Sequence, residues 1–277
     1  MGRGRERGYR GTYLVATIET ILINVLNNLK ETIAYNHRGA GSDVAGGRLQ
    51  HLELPRKSRG LVVAKKPDRN PSYVDLIGVW LSTNRDVDGL WVGSMEDEPY
   101  QGLRRVEDAL QLIKRHDRLN YLRVIRNLDR IWVHLIPSAE AHYERTLNAC
   151  VLDERYLLKE EMTLERIAST IVHEATHARL ERWGIIYEEE SRYRIESICL
   201  RRELNFLTKL PDSEHLKEEI AGALEWCATD RDHLSDASFR VRENQGQVET
   251  LRYLGAPNWV VRFATWFIQR RRARASV

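Results

Sequence analysis

The chain has 277 residues, 42% of them hydrophobic and 30% charged, with a formal net charge of +3. That balance excludes collagenous, low-complexity and wholly disordered chains, and it suits one substantial core, or a core with a smaller region appended, held without cross-links. Cys150, Cys199 and Cys227 stand far apart and lack the paired spacings of a disulfide framework or a thiolate zinc site, so they read as reduced core residues. The charge is uneven. Arg3, Arg5, Arg7 and Arg10 against Glu6 make the start basic, and Arg270, Arg271, Arg272 and Arg274 make the end basic, so the body between them is net acidic. Such ends read as solvated tails, and no nucleic-acid partner is expected.

The basic start runs into an apolar stretch that Glu19 and Asn24 interrupt, without a small-residue cleavage site, so it is not read as a signal peptide. No stretch reaches the roughly 18 uninterrupted apolar residues of a membrane span, and a soluble, cytoplasmic protein is expected. Over residues 13–34, Leu14, Ile18, Ile21, Leu22, Val25, Leu26 and Leu29 recur at a helical period, which predicts an amphipathic packing helix. Residues 35–60 are rich in glycine and charge and read as a long loop; the glycines precede no Lys-Ser or Lys-Thr, so no phosphate loop is assigned. Short extended pieces are expected near 61–64 and 90–93. Residues 1–100 are thus taken as an N-terminal region of helix, loop and short strands, and 101–277 as the more regular domain.

Within that domain, residues 104–128 are predicted helical, 130–137 a strand closed by Pro137, and 148–158 a second strand region. A helix over 163–184 follows, then helices over about 188–210, 213–229, 233–253 and 258–272. The expected fold class is α+β, mainly helical, with a small sheet ahead of the helix at 163–184. On the last helix Trp259, Val260, Phe263, Trp266 and Phe267 form a stripe that predicts core packing or a partner contact, with membrane-surface contact as a further option because arginines follow.

The segment TLERIASTIVHEATHARLERWG, residues 163–184, carries the chemistry. Wound as a helix, it puts His177 about 40° and Glu174 about 100° from His173, while Leu164, Ile167, Ala168, Ile171, Ala175 and Ala178 gather on the opposite side. Thr163 is placed to cap its start and Gly184 to end it. Histidines at i and i+4 can both offer a ring nitrogen to one zinc ion, with the intervening glutamate beside the metal. A surface helix with two solvated histidines is the competing reading. Two histidines leave the site incomplete, so a further ligand is sought downstream. In EEESRYRIESICLRRELNFL, Glu196 falls inside a stripe of Tyr193, Leu200, Leu204 and Leu207; Glu203 on the same face is the rival, and an acid paired with a nearby arginine is the third reading.

His173-Glu174-x-x-His177, then eighteen residues, then Glu196, resembles the gluzincin group of zinc metallopeptidases, and the likeness covers about residues 122–210. The resemblance implies a zincin-like core, Zn2+ held by His173, His177 and Glu196, Glu174 as the base that activates water, and a peptide or protein substrate held along an edge strand. The chain departs from the group's pattern at Leu200, where an acid that orients a histidine often stands four residues after the ligand. Gly93-Ser-Met-Glu-Asp97 is similar to an element that holds substrate amino termini in some gluzincins, but it lies far upstream and is read as an acidic turn. Tyr253, Tyr193 and His233 are candidates for stabilising an oxyanion. His37, His51, His116, His134, His142 and His215 lack partners at ligand spacing and are taken as structural.

Overall fold

The computed structural model describes residues 70–275 apart from 97–99, 138 and 231. The helix expected over 13–34, the loop over 35–60 and the extended piece near 61–64 lie outside the described residues. The fold is α+β, mainly helical, with one small mixed sheet of five strands. Strands β1 (Thr83–Val87), β2 (Leu90–Ser94), β3 (Arg130–His134), β4 (Ala141–Glu144) and β5 (Ala149–Asp153) lie in the order β1-β2-β3-β5-β4. The central pairs β2/β3 and β3/β5 are parallel; the edge strands β1 and β4 pair antiparallel to their neighbours. The boundary expected at residue 100 therefore cuts through one sheet, whose strands come from both sides of it.

Alternation of side chains along each strand sorts the sheet into two apolar faces. Leu90, Val92, Ile131, Val133, Cys150 and Leu152 point into the main core; Trp132, Ala149 and Val151 point the other way. A short helix α1 (Tyr73–Leu81), which the sequence reading missed, serves the second face through Val79. Gly78 makes its approach possible, because a Cβ there would meet the Trp132 ring at 2.9 Å, and the Trp132 indole donates to Ser82 Oγ at 3.1 Å.

The predicted helix over 104–128 is two helices, α2 (Gln101–His116) and α3 (Arg118–Asn127). Asp117 makes the break: its backbone leaves the helical region, and its carboxylate accepts the Asn120 amide N–H at 3.1 Å as the cap of α3. Periodicity cannot reveal that break, since the apolar face of α2 (Leu103, Val106, Leu110, Ile113) runs on in phase to Tyr121 and Val124 of α3. Each of these fully buried side chains contributes about 1.5–3 kcal/mol through removal from water. The strand region expected over 148–158 is shorter as well. It ends at Asp153, whose side chain accepts from the Arg155 and Tyr156 backbone N–H groups and starts the single turn α4 (Glu154–Leu157).

The histidine helix is α5 (Leu164–Arg182), and both predicted ends hold. Thr163 Oγ1 accepts from the Arg166 N–H at 3.2 Å; at the other end Gly184 takes φ +79° while its N–H and that of Ile185 reach back to the carbonyls of Glu181 and Leu180. Ile167, Ala168, Ile171, Ala175 and Ala178 are buried in the main core, so α5 is anchored by its back. Then come α6 (Glu189–Leu207), α7 (Glu214–Thr229), a 3-10 turn (Asp232–Leu234), α8 (Asp236–Tyr253) and α9 (Asn258–Ala275). The stripe on α9 does not pack as a core: Trp259, Phe263 and Trp266 are exposed, whereas Val261 is buried. No helix among the described residues is long and apolar enough to cross a membrane.

Candidate metal centre

Two helices build the centre. From α5, His173 and His177 project one turn apart, their ring centroids 5.1 Å from each other. From α6, Glu196 reaches both: its Oε2 lies 3.3 Å from His173 Nε2 and its Oε1 lies 3.6 Å from His177 Nε2. Donors at about 2.0–2.2 Å from a tetrahedral zinc ion sit roughly 3.3–3.6 Å apart, and each of the two contacts falls in that range, one through each oxygen of the Glu196 carboxylate. The buried Cys199 thiol, one turn after Glu196, completes a cluster with the two histidines in which the ligand atoms lie within 4.8 Å of one another, and this cluster can hold a metal ion. Imidazole, carboxylate and thiol are the donor types that zinc accepts. Sequence spacing gave no hint of Cys199, because no second cysteine stands near it; the helical position i+3 from Glu196 is the signal that finds it.

Glu203 meets His173 at its other ring nitrogen. Its Oε2 lies 3.0 Å from Nδ1 of His173, on the opposite side of the ring from Glu196, and its side chain is 7% exposed. A carboxylate at Nδ1 holds the ring in the tautomer that presents Nε2 as a lone-pair donor. The acid that Leu200 fails to provide is thus supplied one turn further on. Burial opposes charge on His173, but the hydrogen bonds to Glu196 and Glu203 outweigh it and hold its pKa well above the ordinary value. Glu196 is the mirror case: burial alone would raise its pKa, and the hydrogen bonds from His173 and His177 hold it well below the carboxylate range.

Glu174 is buried beside this cluster and makes no hydrogen bond or ion pair with another described side chain. Tyr187, in the coil between α5 and α6, donates its phenol O–H to Glu196 Oε1 and sets its ring edge-on to His177 at 5.4 Å. Burial, then the Glu196 charge, pushes the phenol pKa up, so Tyr187 stays a donor. It was invisible to periodicity because it lies in coil.

His173, Glu174, His177, Glu196 and Tyr187 open on a cavity of about 610 Å3. The edge strand β4 forms one wall through Ala141, His142 and Tyr143; Trp226 of α7 and Phe239 of α8 form the far wall. Among the residues expected to be structural, His142 thus faces the cavity, whereas His134 stacks on Trp132 at 4.5 Å. Of the three oxyanion candidates, His233 lines the cavity. Tyr193 and Tyr253 do not; the Tyr253 ring lies beside Arg155 instead, 5.5 Å away. Gly93 and Ser94 end β2 and Met95 packs near Trp132, away from the cavity, and Asp97 lies outside the described residues. Comparison of the chain with protein families, with curated proteins and with solved structures yields no match.

Proposed function

We propose that the protein is a zinc-dependent peptidase of the gluzincin type that its His-Glu-x-x-His and Glu196 spacing resembles. One observation carries the reading: His173, His177 and Glu196 converge on the wall of a large cavity, with Glu174 buried beside them and unpaired among the described residues. Zinc held by His173, His177 and Glu196 would supply Lewis acidity to the scissile carbonyl and to water. Glu174 takes the proton of the attacking water on its carboxylate as the new C–O bond forms, and returns it to the amine as the C–N bond breaks. Glu203 fixes the His173 ring, and Tyr187 steadies the Glu196 carboxylate. The strand β4 lies at the edge of the sheet and on the cavity wall, where an extended peptide would lie alongside it, and Trp226 and Phe239 offer apolar surface to its side chains. The test is metal analysis of the purified protein together with cleavage of a peptide library by wild type and Glu174→Gln. A zinc-loaded wild type that cuts nothing would sink the peptidase reading.

Cys199 favours a second reading, a metal-binding zincin-like module without peptidase activity. If its thiol joins His173, His177 and Glu196, four protein donors close the coordination and leave no position for substrate, which is the habit of structural zinc sites. Cobalt substitution separates the two, because a bound thiolate adds an intense near-ultraviolet charge-transfer band that an open His-His-Glu site lacks.

A further inference from the structure

Behind α5, on the side away from the metal cluster, α3, α5 and α6 enclose a pocket of about 70 Å3. Arg123 of α3, Arg179 of α5 and Arg202 of α6 all line it, one from each helix. Arg123 feels the other two: after burial, the charges of Arg202 and Arg179 are the causes that lower its pKa. Among the described residues none of the three forms an ion pair. Asp117, whose charge favours that of Arg123, forms no ion pair with it and accepts instead from Lys209 Nζ at 2.6 Å and from the Asn120 side-chain amide at 2.7 Å.

Two of the guanidinium groups are nonetheless held in place by neutral partners. Arg123 Nη1 donates to Asn120 Oδ1 at 2.9 Å, and Asn120 is itself fixed by Asp117. The Arg179 guanidinium lies over the Trp183 ring, 4.2 Å from its centroid. Three partly buried cations that line one small pocket, none of them in an ion pair among the described residues, are favoured by an anion placed between them. Guanidinium forks match the oxygens of phosphate in pairs, which makes arginine the preferred partner of such anions. The volume holds one small polyatomic ion and falls well short of the about 300–1,000 Å3 of a pocket for a drug-sized ligand.

We infer that the pocket formed by Arg123, Arg179 and Arg202 is a binding site for a phosphate-type dianion, either free or as the head of a phosphomonoester. The site is independent of the peptidase reading. A bound anion ties α3 to α5 and α6, the two helices that carry the metal donors, so occupancy fixes their spacing from behind.

The test is calorimetric titration of the full chain with inorganic phosphate and, separately, with glycerol 3-phosphate, in 0.15 M NaCl, where diffuse attraction is screened beyond about 8 Å. The expected result is saturable binding of one anion per chain with a Kd at or below about 1 mM, and a thermal midpoint that rises with phosphate concentration. Arg202→Gln and Arg123→Gln should each weaken binding about tenfold or more, whereas Arg104→Gln, which removes an exposed charge from α2, should leave it unchanged. Binding of phosphate alone identifies a free ion as the ligand; binding of both anions identifies the phosphoryl head. No saturable binding of either, or equal weakening by Arg104→Gln, overturns the inference. Circular dichroism of each variant keeps a folding defect from passing as lost binding.

Discussion

Replacement of Glu203 by alanine tests the division of labour between the two acids of α6. The Glu203 carboxylate stands 3.0 Å from Nδ1 of His173 with its side chain 7% exposed, so it makes a buried, charge-assisted hydrogen bond to a ring whose other nitrogen faces the metal position. Hydrogen bonds to charged groups contribute about 1.5–3 kcal/mol, which corresponds to roughly 10–150-fold in a binding constant. Loss of an orienting carboxylate behind a histidine ligand typically weakens metal affinity about 10–100-fold, in agreement. Removal of a ligand is worse. Zinc binding free energies of about 10–16 kcal/mol shared among three or four donors put Glu196→Ala near 10³-fold. Competition of the purified variants with a chromophoric chelator at neutral pH reads both numbers. Glu203→Gln keeps an acceptor at Nδ1 and should lose less than Glu203→Ala. Equal losses for Glu203→Ala and Glu196→Ala would make Glu203 a ligand, and no loss for Glu203→Ala would mean that the Nδ1 contact orients nothing.

Glu174→Gln should keep its metal while peptide hydrolysis falls by about 10² to 10⁴, the usual share of general acid–base catalysis; unchanged turnover of a peptide that wild type cleaves would refute the assigned role. Cys199→Ser should leave the visible and near-ultraviolet spectrum of the cobalt form intact if the site is His-His-Glu, and should remove a charge-transfer band if the thiol is bound. Between about pH 4.5 and 6.5 two groups act on stability in opposite directions. Burial pushes His134 down to about 4, so the unfolded chain binds the extra proton between about 4 and 6.5 and stability rises with pH there, by at most about 3 kcal/mol. Burial, with Glu96 and Asp153 nearby, pushes Glu154 up to about 7, so the folded chain keeps the extra proton above 4.5 and stability falls as pH rises toward 7. Denaturant titrations should therefore be nearly flat from pH 4.5 to 6.5 for wild type and should slope upward for Glu154→Gln; a flat profile for that variant too would refute the assignment.

What was legible in the sequence is what periodicity and end chemistry encode. The run from Ile167 to Ala178 gave the buried back of α5, and Thr163 and Gly184 gave its ends, because a cap and a left-handed residue are local devices that need no partner. The same local logic found β3 and the helices after Glu188. It failed where a tertiary contact decides. Helix α1 exists because Gly78 lets it close on Trp132, and β4 because β5 pairs with it; neither has a long apolar period of its own. Tyr73, Leu76, Ile77 and Trp80 of α1 are exposed in spite of their apolar character, so pattern alone could not tell which of its faces is inside. On α9 the pattern likewise leaves open whether the stripe packs in the core or meets a partner, and its exposed Trp259, Phe263 and Trp266 are not packed in the core.

The site shows the limit of one-dimensional spacing more sharply. Glu196 and Glu203 lie two turns apart on one face of α6, Glu203 buried and Glu196 half-buried, so the amino-acid pattern makes them rivals for one role. In three dimensions they are partners on opposite edges of the same imidazole. A histidine ring has two nitrogens about 2 Å apart facing opposite directions, and a helix that crosses it can set one carboxylate against each. The rivalry disappears once the ring is placed between them. Glu196 also reaches His177 at 3.6 Å, whereas Glu203 meets His173 from behind, and this difference in neighbours is what the proposed division of roles rests on. The carboxylate that spans both histidines, Oε2 toward His173 and Oε1 toward His177, is the one placed to share an ion with them, and for that reason the ligand role is proposed for Glu196.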